Sequence, residues 1–136
     1  MALTDIEIKD TIYTLLREKG LHTEISGRIY KDNRPDNSVL EDVEISILDG
    51  DAKQRQEVAI NVNVFVHDVQ RENEWIENQP RLRPLCRVFM QALESNVFDG
   101  FKIRLQSQHV FKVNDRHVRV INNRLILEHI QEADED

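Results

Sequence analysis

From Val58 to Val66 every second residue is a branched aliphatic: Val58, Ile60, Val62, Val64 and Val66 alternate with Ala59, Asn61, Asn63 and Phe65. A period of two is that of an extended chain whose successive side chains point to opposite faces. The stretch therefore predicts a β-strand with one aliphatic wall, and two amphipathic helices are available to cover it. In the first, Ile8, Ile12, Leu15 and Leu16 recur at steps of three and four. Thr4-Asp5-Ile6-Glu7 has the form of a capping box in front of them and Gly20 supplies a stop behind, which predicts a helix over about Asp5 to Lys19. In the second, Leu85, Val88, Phe89, Ala92 and Leu93 share one helical face; the helix starts between Pro80 and Pro84 and runs to about Asn96.

Shorter strands fill the rest. Gly27-Arg28-Ile29-Tyr30 reads as one, followed by the turn-rich Lys31 to Ser38, and Val43 to Ile47 alternates again before Asp49-Gly50. Asp49 to Glu57 holds no apolar residue except Ala52, so this connection between two antiparallel strands is expected to project and to be mobile. Gln70 to Asn78 is a polar break in which Trp75-Ile76 is expected to dock. From Phe101 the period of two returns through Ile103 and Leu105, then Val110 to Val113, a turn at Asn114-Asp115, Val118 and Val120, a turn or bulge at Asn122-Asn123, and Leu125 to Leu127.

These elements predict a single α+β domain over residues 1–130, a mainly antiparallel sheet with two helices packed on one face, and an acidic frayed tail at 131–136. Ile8, Ile12, Leu15, Val58, Ile60, Val62, Val64, Leu85, Val88, Phe89, Ala92 and Leu93 are the expected core.

Composition narrows the class of function. A chain of 136 residues fits one domain, its longest apolar runs are strand-length, and Met1-Ala2-Leu3-Thr4-Asp5 lacks the basic start of a secretory signal, so a cytoplasmic protein is expected. The single cysteine, Cys86, excludes an internal disulfide and argues against a thiolate zinc site; Arg83 and Arg87 beside it would lower its pKa, but a packed helix residue is the expectation. The net charge of −7 is unevenly spread: residues 1–80 carry −8, residues 81–127 carry +6 and residues 128–136 carry −5. Such a chain suits pairing with copies of itself, head to tail, and the expected contact brings Arg104, Arg116 and Arg119 against a neighbour's Asp49 or Asp51.

Catalytic chemistry finds little footing. Asp36 and Glu44 resemble the acid pair of metal-dependent nucleases, but Ser46 stands where the lysine would be. The histidines form no helical His-x-x-x-His pair; a shared metal at His109 and His117 would require them to face each other across the Asn114-Asp115 hairpin. Nucleophile-elbow, P-loop and dinucleotide motifs are absent from the sequence. The basic second half invites nucleic acid, yet Phe101 is in phase with core residues rather than with Lys102 and Arg104, and the overall charge repels phosphate. No enzyme, cofactor or metal is expected.

The early helix, Gly27-Arg28-Ile29-Tyr30 with Arg34-Pro35 in the following loop, the extended Val43 to Ile47, and Gln56 to Val66 with its alternating valines together resemble the tail-completion, or tail-terminator, proteins of long-tailed bacteriophages. The likeness extends over most of Ile6 to Ile130 as an order of elements. It implies a non-catalytic phage or prophage structural protein, in the virion or in the host cytoplasm during assembly. Such a protein caps the tail tube and joins it to the head as a ring homo-oligomer, often a hexamer, with tail-tube and head-connector proteins as partners. A head-closure component is the related alternative; a cytoplasmic protein-binding adaptor or regulator, or a nucleic-acid-binding module, are the alternatives from other classes.

Overall fold

The valine-rich stretch forms strand β3, Glu57–His67, in a computed structural model that describes residues 3–48, 57–113 and 116–130. Its aliphatic wall is the buried one: Ile60, Val62, Val64 and Val66 are shut off from solvent, while Asn61, Asn63 and Phe65 on the other face are half-exposed. Strand β2 (Val43–Ile47) runs antiparallel on one side and sets Ile45 opposite Val62; β8 (Val118–His129) runs antiparallel on the other and sets Leu125 opposite Ile60. Beyond β2 lies β1 (Ile29–Tyr30), in parallel; beyond β8 come β7 (Phe101–Val113) and then β6 (Ser95–Phe98), both antiparallel. The sheet order is β1-β2-β3-β8-β7-β6, and β4 (Val69–Arg71) with β5 (Glu74–Ile76) makes a separate hairpin.

Both helices lie on the aliphatic face of this α+β domain. Ile8, Ile12, Leu15 and Leu16 of α1 (Asp5–Glu18) and Leu82, Leu85, Phe89 and Leu93 of α2 (Gln79–Leu93) join Ile45, Ile60, Val62, Val64, Ile121 and Leu125 in one core. α1 rests against β2, and α2 against β7 and β8, so each half of the sheet has its own helix. The capping box forms as expected, with the Glu7 N–H donating to Thr4 Oγ1 at 3.2 Å and the Thr4 N–H to Glu7 Oε1 at 2.9 Å. Gly20, at φ 74°, makes the left-handed exit. Val58, Val88 and Ala92 are only partly buried, packed on the rim of the core rather than in it. No helix among the described residues is long and apolar enough to cross a membrane.

In four places the structure extends or corrects these expectations. The polar break after β3 contains the β4–β5 hairpin, closed by Glu72 and Asn73 at φ 51° and 68°, a primed turn whose twist suits paired strands. Helix α2 ends at Leu93, and Asn96 belongs to β6, which turns back into β7 through Asp99-Gly100 at φ 52° and 83°. Phe101 to Val113 is one strand with a bulge between Leu105 and Ser107, so the side-chain phase resets and Gln108 and Val110 take the helix-facing positions. Asn122 and Asn123 are not a turn: β8 runs straight through them, because β3 and β7 hold both of its edges. The segment Asp49 to Gln56, the Asn114-Asp115 turn and the tail at 131–136 lie outside the described residues.

Candidate functional site

The helix-free face of the sheet is built in cross-strand rows, since residues opposite each other in antiparallel strands share a face. Its middle rows are polar: Glu44, Asn63, Asn122 and His109 in one, Ser46, Asn61, Arg124 and Ser107 in the next. Asn122 Nδ2 ties the rows together, donating to Asn63 Oδ1 at 2.7 Å and Asn61 Oδ1 at 3.0 Å. The adjoining row is apolar, Phe65, Val120 and Phe111, followed by His67, Val118 and Val113. Val118 and Val120 are buried here without belonging to the helix-covered core.

Over that apolar corner folds the loop that joins β1 to β2. Arg34 reaches down from it, its guanidinium carbon 4.4 Å from the centroid of the Phe65 ring, Nε 3.3 Å from Asp42 Oδ2 and Nη2 3.1 Å from His67 Nε2. The same side chain donates from Nη2 to the Ser38 carbonyl at 2.6 Å, while its backbone N–H donates to Glu44 Oε2 at 2.7 Å. Ser38 Oγ and the Arg28 N–H both donate to the fully buried Asp42 carboxylate. Burial, reinforced by the Arg34 cation, pushes the His67 pKa below its ordinary value, so near neutral pH the imidazole accepts the guanidinium hydrogen bond. Gly27 is part of this construction: a Cβ there would collide with the Asp42 carboxylate and the Glu41 carbonyl. An open cavity of about 770 Å³ remains between the loop, Phe65, His67 and the Trp75–His117 stack, whose rings lie 4.3 Å apart.

The side chains that pin the loop are spent on one another. Glu44, one half of the nuclease-like pair, is occupied by the Arg34 backbone. His109 stands opposite Asn122 and His117 stacks on Trp75, so the two histidines are not cross-strand partners. Trp75 is only partly docked, with 43% of its surface exposed. Burial raises the Cys86 pKa, the direction opposite to activation by Arg83 and Arg87, which makes this thiol a packing group. No group of three or more His, Cys, Asp or Glu placed to hold a metal occurs among the described residues.

The three arginines expected to form one interface do not meet. Arg104 is exposed on the helix-free face, opposite Ile126. Arg119 is on the helix-covered face, seven positions along β8 from Ile126, roughly 23 Å at about 3.3 Å per residue. Its Nε lies 3.2 Å from Asp68 Oδ1 and its Nη1 3.6 Å from Glu77 Oε2, so its charge is answered within the subunit. Arg116 is exposed on the lip of the 770 Å³ cavity. Asp49 and Asp51 lie outside the described residues. The charge split along the chain is real, but the sheet distributes its basic half over both faces.

Sequence reasoning missed a different surface. β6 covers β7 only from Phe101 to Arg104, and among the described residues no strand pairs with the outer edge of Ser107–Val113. Half of the backbone N–H and C=O groups of that segment face outward, as on any edge strand. Beneath it runs a groove of about 710 Å³ between β7 and α2, its apolar lining including Pro84, Cys86, Met90 and Val110 and its charged lining Glu77, Arg83 and Arg87. Gln108 spans it, donating from Nε2 to the Cys86 carbonyl at 2.9 Å and to Asn123 Oδ1 at 2.8 Å. The one sequence signal was Val110, an apolar residue whose phase depends on the bulge.

Neither a protein-family model nor a curated protein sequence matches this chain.

Proposed function

We propose that the chain is a non-catalytic structural protein of a long-tailed phage or prophage, a ring oligomer that caps the tail tube and joins it to the head. The observation that carries the reading is the order of elements: helix, the short Ile29–Tyr30 strand that follows Gly27-Arg28, proline-bearing loop, strand, long valine strand, polar hairpin, helix and closing strands. Gly27 and Arg34, two motif residues of the resemblance, both meet the buried Asp42 carboxylate and help to fix the proline-bearing loop on the sheet. The two sheet edges are unlike, one a two-residue strand beside a pinned loop and the other an open strand above an apolar groove. Unlike ends suit a heterologous contact, the kind that closes a ring. On this reading the partners are copies of the chain, tail-tube protein and head connector, met in the host cytoplasm during assembly and retained in the virion.

The test is to purify the full chain, measure its mass by light scattering, image it by negative stain, and add it to isolated tails that lack heads. A ring that binds one end of the tails is expected. A protein that stays monomeric at millimolar concentration and ignores the tails would overturn the reading in favour of an adaptor.

A further inference from the structure

We propose that a second copy of this chain seats its Val39–Leu40 pair in the groove between α2 and the open edge of β7. The inference rests on the ring reading only in taking the occupant to be another copy. Val39 and Leu40 are 74% and 47% exposed, in the loop joining β1 to β2, yet the loop carrying them is firmly held. Arg34 donates to the Ser38 carbonyl at 2.6 Å, the Leu40 N–H donates to Ser38 Oγ at 3.2 Å, and Ser38 Oγ in turn donates to Asp42. A buried ion pair is costly to desolvate. This one anchors the loop over the apolar corner of the sheet, and the same anchoring holds two aliphatic side chains out in water as a preformed knob, which binds with less entropy to lose.

The groove has the matching properties. Its floor is apolar and includes Met90 and Val110, themselves 37% and 42% exposed, and the backbone edge of Ser107–Val113 above it can receive an extended segment as an added strand. Charge decides in favour of a copy over a like-with-like contact: the groove carries exposed Arg83 and Arg87 and a Glu77 already answered by Arg119, while the knob's loop carries exposed Asp32 and Asp36 and a Lys31 already answered by Asp10. Two grooves facing each other would oppose arginine to arginine. Knob and groove are different surfaces of the subunit, Val39 beside the 770 Å³ cavity on the helix-free face and the groove between β7 and α2, so the contact is head to tail and leaves a free knob at one end and a free groove at the other.

Val39→Asp spoils the knob and Met90→Asp the groove; both sites are exposed, so circular dichroism and thermal unfolding should match the parent. Light scattering on the full chain should show each variant self-associating at least about tenfold more weakly, as expected for a central apolar contact. Mixed in equal amounts, the two variants should form a discrete 1:1 dimer, because one retains a working groove and the other a working knob. Variants that assemble like the parent would refute this contact and leave the ring reading standing. A folded mixture that gives no dimer would refute the head-to-tail pairing of knob and groove. A parent that remains monomeric at millimolar concentration would refute the contact and the ring together.

Discussion

Asn123 and Val62 oppose each other at the centre of the sheet, and the Asn123 side-chain amide donates to the Val62 carbonyl at 3.1 Å inside the aliphatic core. Asn123 is fully buried, and its Oδ1 accepts from Gln108, which also holds the Cys86 carbonyl of α2. A polar chain thus runs from the helix through β7 and β8 to β3. Asn123→Ala strips Gln108 of one partner and leaves a void, and should destabilise the domain by about 2 kcal/mol, within the range for a buried hydrogen-bonding group. Urea unfolding measures it; a cost below about 0.5 kcal/mol would mean that the chain of bonds contributes little beyond what solvent supplies.

Arg34→Ala should be more damaging. It leaves the Asp42 carboxylate buried without its cation, and removing one member of a buried pair costs about 3–5 kcal/mol. Replacing both Arg34 and Asp42 by apolar residues should cost less than the sum of the two single changes, which a double-mutant cycle in urea unfolding will show.

His67 makes stability depend on pH. Its folded-state pKa lies below the unfolded value near 6.5, so its neutral form is favoured in the fold. Above the unfolded pKa the full contribution is present; as pH falls below it, the unfolded chain takes up the proton first and stability declines until the folded pKa is passed. His67→Gln should flatten the loss of stability between neutral and mildly acidic pH. An unchanged slope would exclude His67 as its source.

Two glycines separate steric from conformational cost. Gly27→Ala forces a Cβ onto the Asp42 carboxylate and the Glu41 carbonyl and should cost about 1–3 kcal/mol, as overpacking does. Gly100→Ala has open space around it and only a φ of 83° to resist it, so about 1–2 kcal/mol of left-handed strain is expected. Thermal unfolding of each, with Asp42→Ala added to Gly27→Ala, distinguishes them: removing the carboxylate should recover part of the Gly27→Ala loss and none of the Gly100→Ala loss.

The sequence by itself determined the strand Val43–Ile47, the phase of the valine strand, the capped first helix and the face each helix turns to the sheet. These depend on the spacing of residues near one another, which the local backbone period converts directly into direction. The Asp99-Gly100 hairpin was equally local, and the dipeptide that marks it was present to be read. Tertiary structure alone decided what depends on a distant partner: that Asn122 and Asn123 continue a strand, that a bulge after Leu105 turns Val110 toward α2, and that Arg34 finds Asp42 and Phe65. It also decided that Arg104 and Arg119, equal contributors to the charge of the second half, lie on opposite faces of the sheet. Charge adds along a chain, but a surface is made by strand register, and one residue's difference in register exchanges the two faces.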